Sequence, residues 1–596
     1  MDLGDRTITD AQMIVGGRAL FSQTAKFSSL DLDKSVTIKE AGVHVTTIAS
    51  FQSNTKVTLA APAQRKVENQ QADVWKNDSR PGFELLLASL ESLETESAEI
   101  CFGPGVSDFK RSNIAGPTHG LIGLFSNKNL TLRGAGPRVT ILRVMPQQAL
   151  ANTHLIESRE CKHLTFRDFS VHGAYLSMDK TNEQMHAIFL NEGSEDIAIE
   201  RVRVFQSAGD GIRFLGRAEN LDTGALENKV RNVRVEGCQL MQNKRSGLAF
   251  QREVEFVSVR HCYIEMTPPS SDSCIDLEPT GNEKPGQIFV APTDLIIESN
   301  FMKHGTIAPA VSISGFAGPD PARRIKFSNN EILGGHIFCT DVTELTIQNN
   351  PIRVTAVSSP LGKPPRTPIN LVVGGDSLVM TGNLVVNEDP FTRSAIFLGG
   401  KRRALRARVA NNLCFTGAGN GIECLSGDDV VISDNLIVAT KPCNNGILVR
   451  SQSSSMDGVS VRDNDITVQG SGKWENGIHL SANPEPMIHI SIISNSVRGA
   501  DKSILFQHFQ HEDYPPRLVC ALNRIAEDVD VPFDEFLNLP FDILTGGVTS
   551  RGGTGLKPGA GRFIVGRGDP ENRVEGNIGD IFQRLDGELG KTLYVK

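Results

Sequence analysis

A parallel β-solenoid is the fold that this 596-residue sequence predicts, on the evidence of two interleaved repeats and their spacing. Stretches ending in asparagine recur: DLIIESN, IKFSNN, LTIQNN, LVMTGN, ARVANN, VVISDN, VSVRDN, ISIISN and LVCALN. Their final residues are Asn300, Asn330, Asn350, Asn383, Asn412, Asn435, Asn464, Asn495 and Asn523. Each stretch is apolar and β-branched at every second position, which marks a strand with one buried face. A second strand type alternates with the first: SGLAF, SCIDL, PAVSI, GHIFC, SAIFL, NGIEC, NGILV, NGIHL and KSILF. Successive asparagines lie 20 to 33 residues apart, room for two or three short strands per turn. Propeller blades, at roughly 40 to 50 residues, do not fit. Asparagine suits a tight corner because it tolerates a left-handed backbone, and stacked Asn side chains can bond between turns.

Upstream, LTLRG, LTFRDFSV, IAIERVRV, VRNVRVEGC and VSVRHC continue the period, with Cys238 and Cys262 where asparagine sits later. About fourteen turns of this period cover roughly residues 126 to 525. Such a repeat also explains the length, since a chain this long exceeds what one compact core holds.

Composition sets the context. No apolar run is long enough to span a bilayer, so no membrane insertion is expected, and MDLGDRTITD lacks the apolar core of a secretion signal. The ten cysteines lie far apart without C-x-x-C or metal-like spacing and read as reduced residues of a cytoplasmically made chain. A net charge of −8 argues against nucleic acid as a partner. No cofactor and no metal are expected. GAGPR at residues 134 to 138 is a glycine-rich corner without the Lys-Ser/Thr that a phosphate loop carries.

The solenoid pattern resembles the right-handed parallel β-helix proteins of the pectate-lyase-like superfamily, most of whose members act on acidic or bacterial polysaccharides. The flanks sharpen the likeness. Residues 6 to 63 resemble the small β-module that precedes a β-helix in phage and prophage tail proteins. RPGFELLLASLESLE, with Phe83, Leu86, Leu87, Leu90 and Leu93 on one face, resembles the helix that caps the first turn and covers its open edge. GNIGDIFQRLDGELGKTLYVK resembles a short β-module near the C-termini of virion appendages. The resemblance implies a tailspike-like homotrimer and four regions. These are residues 1–75, an attachment module; 76–125, a capping helix and lead-in; 126–525, the glycan-binding β-helix; and 526–596, a C-terminal module for trimerisation or the tip. It implies assembly in the host cytoplasm, tail or head proteins as partners of the first module, and action as part of a virion at the bacterial surface.

The chemistry is sought on the outward face. In SCIDLEP, Ile275 and Leu277 point to the core, so Asp276 and Glu278 point out together, about 6.5 to 7 Å apart by strand rise. Both are poor strand formers, and two like charges at that distance repel, so something other than β-propensity favours them. The same face of neighbouring turns carries Asn191, Arg213, Ala249, Gln251, Ser312 and Ser314. Arg213 is expected two turns from Asp276, about 10 Å away across Ala249.

Two carboxyl groups at about 6.5 to 9.5 Å leave room for a water and an inverting glycosidase reaction. Glu278 is assigned the acid and Asp276 the base, with the reverse also open. Arg213, Gln251, Asn191, Ser312 and Ser314 are assigned to substrate. The phrase C-I-D-L-E-P resembles a G-I-D-x-E-P phrase of other bacterial and phage β-helix proteins, with Cys274 where glycine is usual. Alternatives are a receptor-binding appendage that only adheres, and a lyase or epimerase in which Asp272, Asp276 and Glu278 hold Ca²⁺. Among aromatic residues, Tyr263, Phe316 and Phe338 lie nearest the acids, and Trp474 is placed in a loop seven turns away. Glu423 and His479 face outward further along. The partner expected throughout is a bacterial capsule or O-antigen polysaccharide.

Overall fold

The computed structural model describes residues 6–32, 34–38, 44–63, 65–75, 79–92, 97–109, 120–144, 154–174, 184–216, 228–268, 272–278, 291–305, 308–314, 321–354, 369–371, 375–390, 393–399, 404–452, 454–483, 485–507, 518–521, 523–525, 531–534, 549–550, 553–554, 563–566, 581–584 and 593–595. It separates into two compact units, one of residues 1–189 and 201–209, the other of 190–200 and 210–596.

The first unit begins with a closed antiparallel barrel of six strands between Arg6 and Trp75, filled by Ile8, Leu20, Val36, Ile48, Val57 and Val74. A helix, Arg80–Ser92, follows. It buries Phe83, which stacks on Phe102 with ring centroids 6.1 Å apart, whereas Leu86 faces solvent and is no part of the expected apolar face. Leu93 lies outside the described residues. Parallel strands then start to coil, for example Ala98–Cys101, Leu130–Arg133 and Lys162–Arg167 in one sheet.

The second unit is a right-handed parallel β-helix of three sheets. One coil shows the plan. Thr293–Glu298 lies in sheet 1, Phe301–His304 in sheet 2 and Val311–Ser314 in sheet 3, and the chain returns to sheet 1 at Ala322–Ser328. Alternation decides which side chains go inside: Leu295, Ile297, Met302, Val311 and Ile313 are fully buried.

Asparagine marks the corner between sheets 1 and 2, with one correction to the expectation. The left-handed residue is the one before it: Ser299, Asn329, Asn349, Asn411, Asp434, Asp463 and Ser494 have φ of 54 to 58°, and Gly382 takes the same role. The repeat asparagine turns inward and is buried. Its Oδ1 accepts from the backbone N–H and the Nδ2 of the asparagine one turn earlier; for Asn412 accepting from Asn383 the distances are 3.0 and 2.9 Å. Its own Nδ2 donates to a carbonyl, that of Met380 for Asn412, at 3.1 Å. The ladder runs unbroken from Asn300 to Asn523, and at its head Asn300 Oδ1 accepts the Cys262 N–H at 2.9 Å. Replacing Asn412 by Ala takes the partner from the Asn383 N–H and the Met380 carbonyl and removes one of two bonds at Asn383 Nδ2. A loss of about 3 kcal/mol is expected, read as a lower denaturant midpoint.

The nine described cysteines of the interior are free and buried, and Cys101 is free and exposed. Burial pushes the Cys274 thiol far up. Cys274 stands in register with Gly211 and Gly247, where a Cβ on Gly247 would come within 2.7 Å of the Cys274 carbonyl. The same register position holds Gly421, Gly446 and Gly477 further along and Ala310 and Ala395 between.

Candidate functional site

Sheet 3 carries the outward row predicted from the sequence. Strands Ile212–Leu215, Leu248–Phe250, Ile275–Leu277 and Val311–Ser314 pair in parallel and align Arg213, Ala249, Asp276 and Ser312. The same register continues through Phe338, position 370, Phe397, Glu423, Leu448, His479 and Leu505. Inside, Phe214 and Phe250 stack at 4.7 Å beneath the first two turns.

Asp276 points outward as its parity requires but is only 8% exposed, so it does not emerge freely into water. Burial comes first among the causes that raise its pKa to about 7, followed by the charges of Glu278, Asp272 and Asp210; the Ser312 hydroxyl opposes the shift by donating to the carboxylate. Glu278 lies two positions further on, its N–H bonded to the Phe250 carbonyl at 2.9 Å and its side chain 34% exposed. The two acids are therefore held in different states: Asp276 retains its proton near neutrality, while Glu278 is ion-paired.

The cation that pairs Glu278 is Arg245, Nη2 to Oε2 at 3.0 Å, and not Arg213. Arg245 Nε also lies 3.9 Å from Asp210 and 3.9 Å from Asp272. Desolvation works against its charge, but Asp210, Glu278 and Asp272 outweigh it and hold the guanidinium above its ordinary pKa. Asp210 is 1% exposed and accepts the Ser246 N–H at 3.1 Å, so it anchors this corner. His304 meets the Asp272 carbonyl at 3.0 Å and ties the segment leading into Asp276.

Arg213 is 8% exposed and donates to Gln251. Desolvation lowers its pKa, and Arg245 adds to that effect. It borders the acids as a buried cation and does not open onto solvent. Gln251, itself buried, is fixed by its N–H to the Phe214 carbonyl at 3.0 Å. Asn191 is 4% exposed; the Glu192 N–H bonds to the Leu215 carbonyl, which sets Asn191 beside Leu215 on the face of Arg213 but two positions along. Its Oδ1 accepts the Glu192 N–H at 3.0 Å. Ser312 and Ser314 face outward, half-buried, one turn beyond the acids. Of the assigned set, Asp276, Glu278, Arg213, Gln251, Ser312 and Ser314 come together in register, while Asn191 lies at the margin.

Sequence reading missed Arg245 and Asp210. Both stand at corners, in KRSGL and GDGI, just before the strand begins, where strand alternation assigns no face. A charged residue within three of the Gly that opens a sheet 3 strand is the signal that points to them.

Trp474 is in strand Lys473–Ser481 and not in a loop; it is fully buried, and its Nε1 donates to the Thr467 carbonyl at 2.8 Å, so it offers no ring to a sugar. Tyr263 stacks on Phe301 in sheet 2, away from the acids. Phe338 is outward, two turns from Asp276 in the same row. Phe316 lies outside the described residues. Among the described residues no three His, Cys, Asp or Glu side chains converge as a ligand set for a metal ion, and Glu278 is engaged by Arg245.

No family model and no curated protein sequence matches the chain. Solved structures do match it in the course of the backbone. A mutant tailspike protein of the E. coli bacteriophage HK620, in complex with a hexasaccharide, is 12% identical at a TM-score of 0.41, covering 79% of this chain and 74% of its own. The catalytic domain of Agl-KA is 11% identical at 0.37, covering 89% and 88%. The A-module of mannuronan C-5 epimerase AlgE6 from Azotobacter vinelandii is 13% identical at 0.28, covering 80% and 95%. The sheet topology itself defines the class of this chain, a right-handed parallel β-helix protein.

Proposed function

We propose that this protein is an endo-acting glycoside hydrolase of a bacterial surface polysaccharide, with Asp276 as general acid and Glu278 as general base. The observation that carries the reading is the divided protonation of the pair, a carboxyl with a pKa of about 7 beside a carboxylate clamped by Arg245. The sequence leaves both orders open, and that division supports the one with Asp276 as acid. Burial, more than the neighbouring charge, is what raises one pKa, and Asp276 is the buried member. An acid must hold a proton at working pH and a base must lack one, so the environments assign the roles. Two residues of strand rise, about 6.6 Å, leave space for a water between donor and base, so the product should emerge with inverted anomeric configuration.

Incubation with capsule or O-antigen polysaccharide should release new reducing ends, and proton NMR at early times should show the inverted anomer. Glu278→Gln should lower the rate by about a hundredfold or more while leaving polysaccharide adsorption in place. Adsorption with no reducing ends from the wild type would leave the adhesive reading. An absorbing unsaturated product would indicate a lyase.

The virion setting, homotrimeric state and attachment through residues 1–75 belong to the same proposal. They are supported by the likeness of the flanking segments to phage modules and by the buried free thiols, which suit assembly in a reducing cytoplasm.

A further inference from the structure

We propose a second carbohydrate-binding site on the row that carries the acids, built on Glu423 and His479 and binding hydroxyl-rich sugar units of the same polysaccharide without cleaving them. It rests on the reading that sheet 3 faces a polysaccharide. Glu423 stands five turns beyond Asp276 in register, about 24 Å away, and His479 two turns further.

Glu423 is 1% exposed. Arg393 donates to its Oε1 through Nε at 2.9 Å and Nη2 at 2.6 Å, and Asn420 Nδ2 donates to Oε2 at 2.9 Å. The Arg393 guanidinium lies 4.6 Å over the Phe397 ring, and its side chain is 47% exposed. It therefore caps the carboxylate and presents its remaining N–H edge outward. Asn445 Nδ2 donates to Asn420 Oδ1 at 2.7 Å, and Asn476 Nδ2 to Asn445 Oδ1 at 2.8 Å. The His479 ring bridges Asn445 and Gln507, at 3.2 and 3.0 Å. Among the described residues Asn476 Oδ1 is buried with no hydrogen-bond partner.

The fold does not require this chemistry. The same outward row holds Ala249, Phe338, Phe397, Leu448 and Leu505 at other turns, so apolar side chains serve there equally well. Sinking a carboxylate into such a surface costs several kcal/mol unless it is fully bonded. A rigid array of amides, imidazole and guanidinium beside an apolar surface is instead what orients hydroxyl groups. Leu448 sits half-buried between Glu423 and His479 and would lie beneath the bound sugar.

The test uses the full chain with Glu278→Gln, so that ligand is not consumed, on an array of purified bacterial capsule and O-polysaccharides. Added to that parent, Glu423→Gln with His479→Leu should weaken adsorption at least tenfold. Leu448→Trp, which blocks the surface without touching the network, should do the same with an unchanged melting temperature. Leu384→Arg on sheet 2 should leave adsorption as it is. Unchanged adsorption in both the double variant and Leu448→Trp overturns the second site. A parent that binds nothing on the array overturns it together with the polysaccharide reading. Adsorption that depends on Glu423 and Leu448, with no reducing ends from the wild type, keeps this site and sinks only the hydrolase.

Discussion

Asp276→Asn is expected to abolish cleavage and, at the same time, to make the protein more stable at neutral and alkaline pH. The carboxyl keeps its proton in the folded chain up to about pH 7, whereas the unfolded chain gives it up near the ordinary aspartate value. Between those two points the folded state binds more protons, so stability falls as pH rises and the loss is complete above pH 7. For a side chain this well buried the loss is on the order of 4 kcal/mol. Asparagine has nothing to ionise, so the variant should unfold at a clearly higher denaturant concentration at pH 8 and at nearly the same one at pH 4. The rate of polysaccharide cleavage should fall by about two to four orders of magnitude, as expected for a lost general acid. A variant that loses activity without gaining stability at pH 8 would mean that the folded wild-type carboxyl ionises at the ordinary aspartate value.

Arg245→Met should slow cleavage. In the wild type, activity should decline above about pH 7 as Asp276 loses its proton. Removing the guanidinium takes away the cation 3.0 Å from Glu278, so the proposed base is no longer held in place and the rate should fall by about a hundredfold. Asp210, 1% exposed, loses a cation as well, and an overall destabilisation of about 3 kcal/mol is expected. Arg245→Lys keeps the charge but not the planar fork, and should restore only part of the rate and of the stability. A rate that does not change would separate Arg245 from the chemistry.

Much of the fold can be read directly from the residues. A period set by Asn300 to Asn523 and alternate burial in each strand suffice to place Arg213, Ala249, Asp276 and Ser312 in one row, because a parallel register admits few slips when one face is buried. What alternation cannot supply is the corner. The left-handed residue is the one before each ladder asparagine, so Ser299 and Asp434 turn the chain while Asn300 and Asn435 bond inward. Arg245 and Asp210 escaped for the same reason, standing where the chain changes direction and strand parity lapses. Trp474 escaped because its strand starts earlier than the apolar pattern does, at Lys473.

Outward parity also differs from exposure. Asp276 and Arg213 face away from the core, yet each is only 8% exposed. That burial converts a surface acid into one that holds its proton near neutrality, and it is visible only once adjacent coils are stacked. Glu423 shows the same effect further along the row, where Arg393 and Asn420 close over it.

The divided protonation of Asp276 and Glu278 is tested most directly by a carboxyl infrared titration of the wild type with Asp276→Asn subtracted. A single protonated carboxyl that ionises near pH 7 is the result expected here. A difference band that ionises near pH 4 would show an ordinary surface aspartate, and the acid–base assignment would be contradicted.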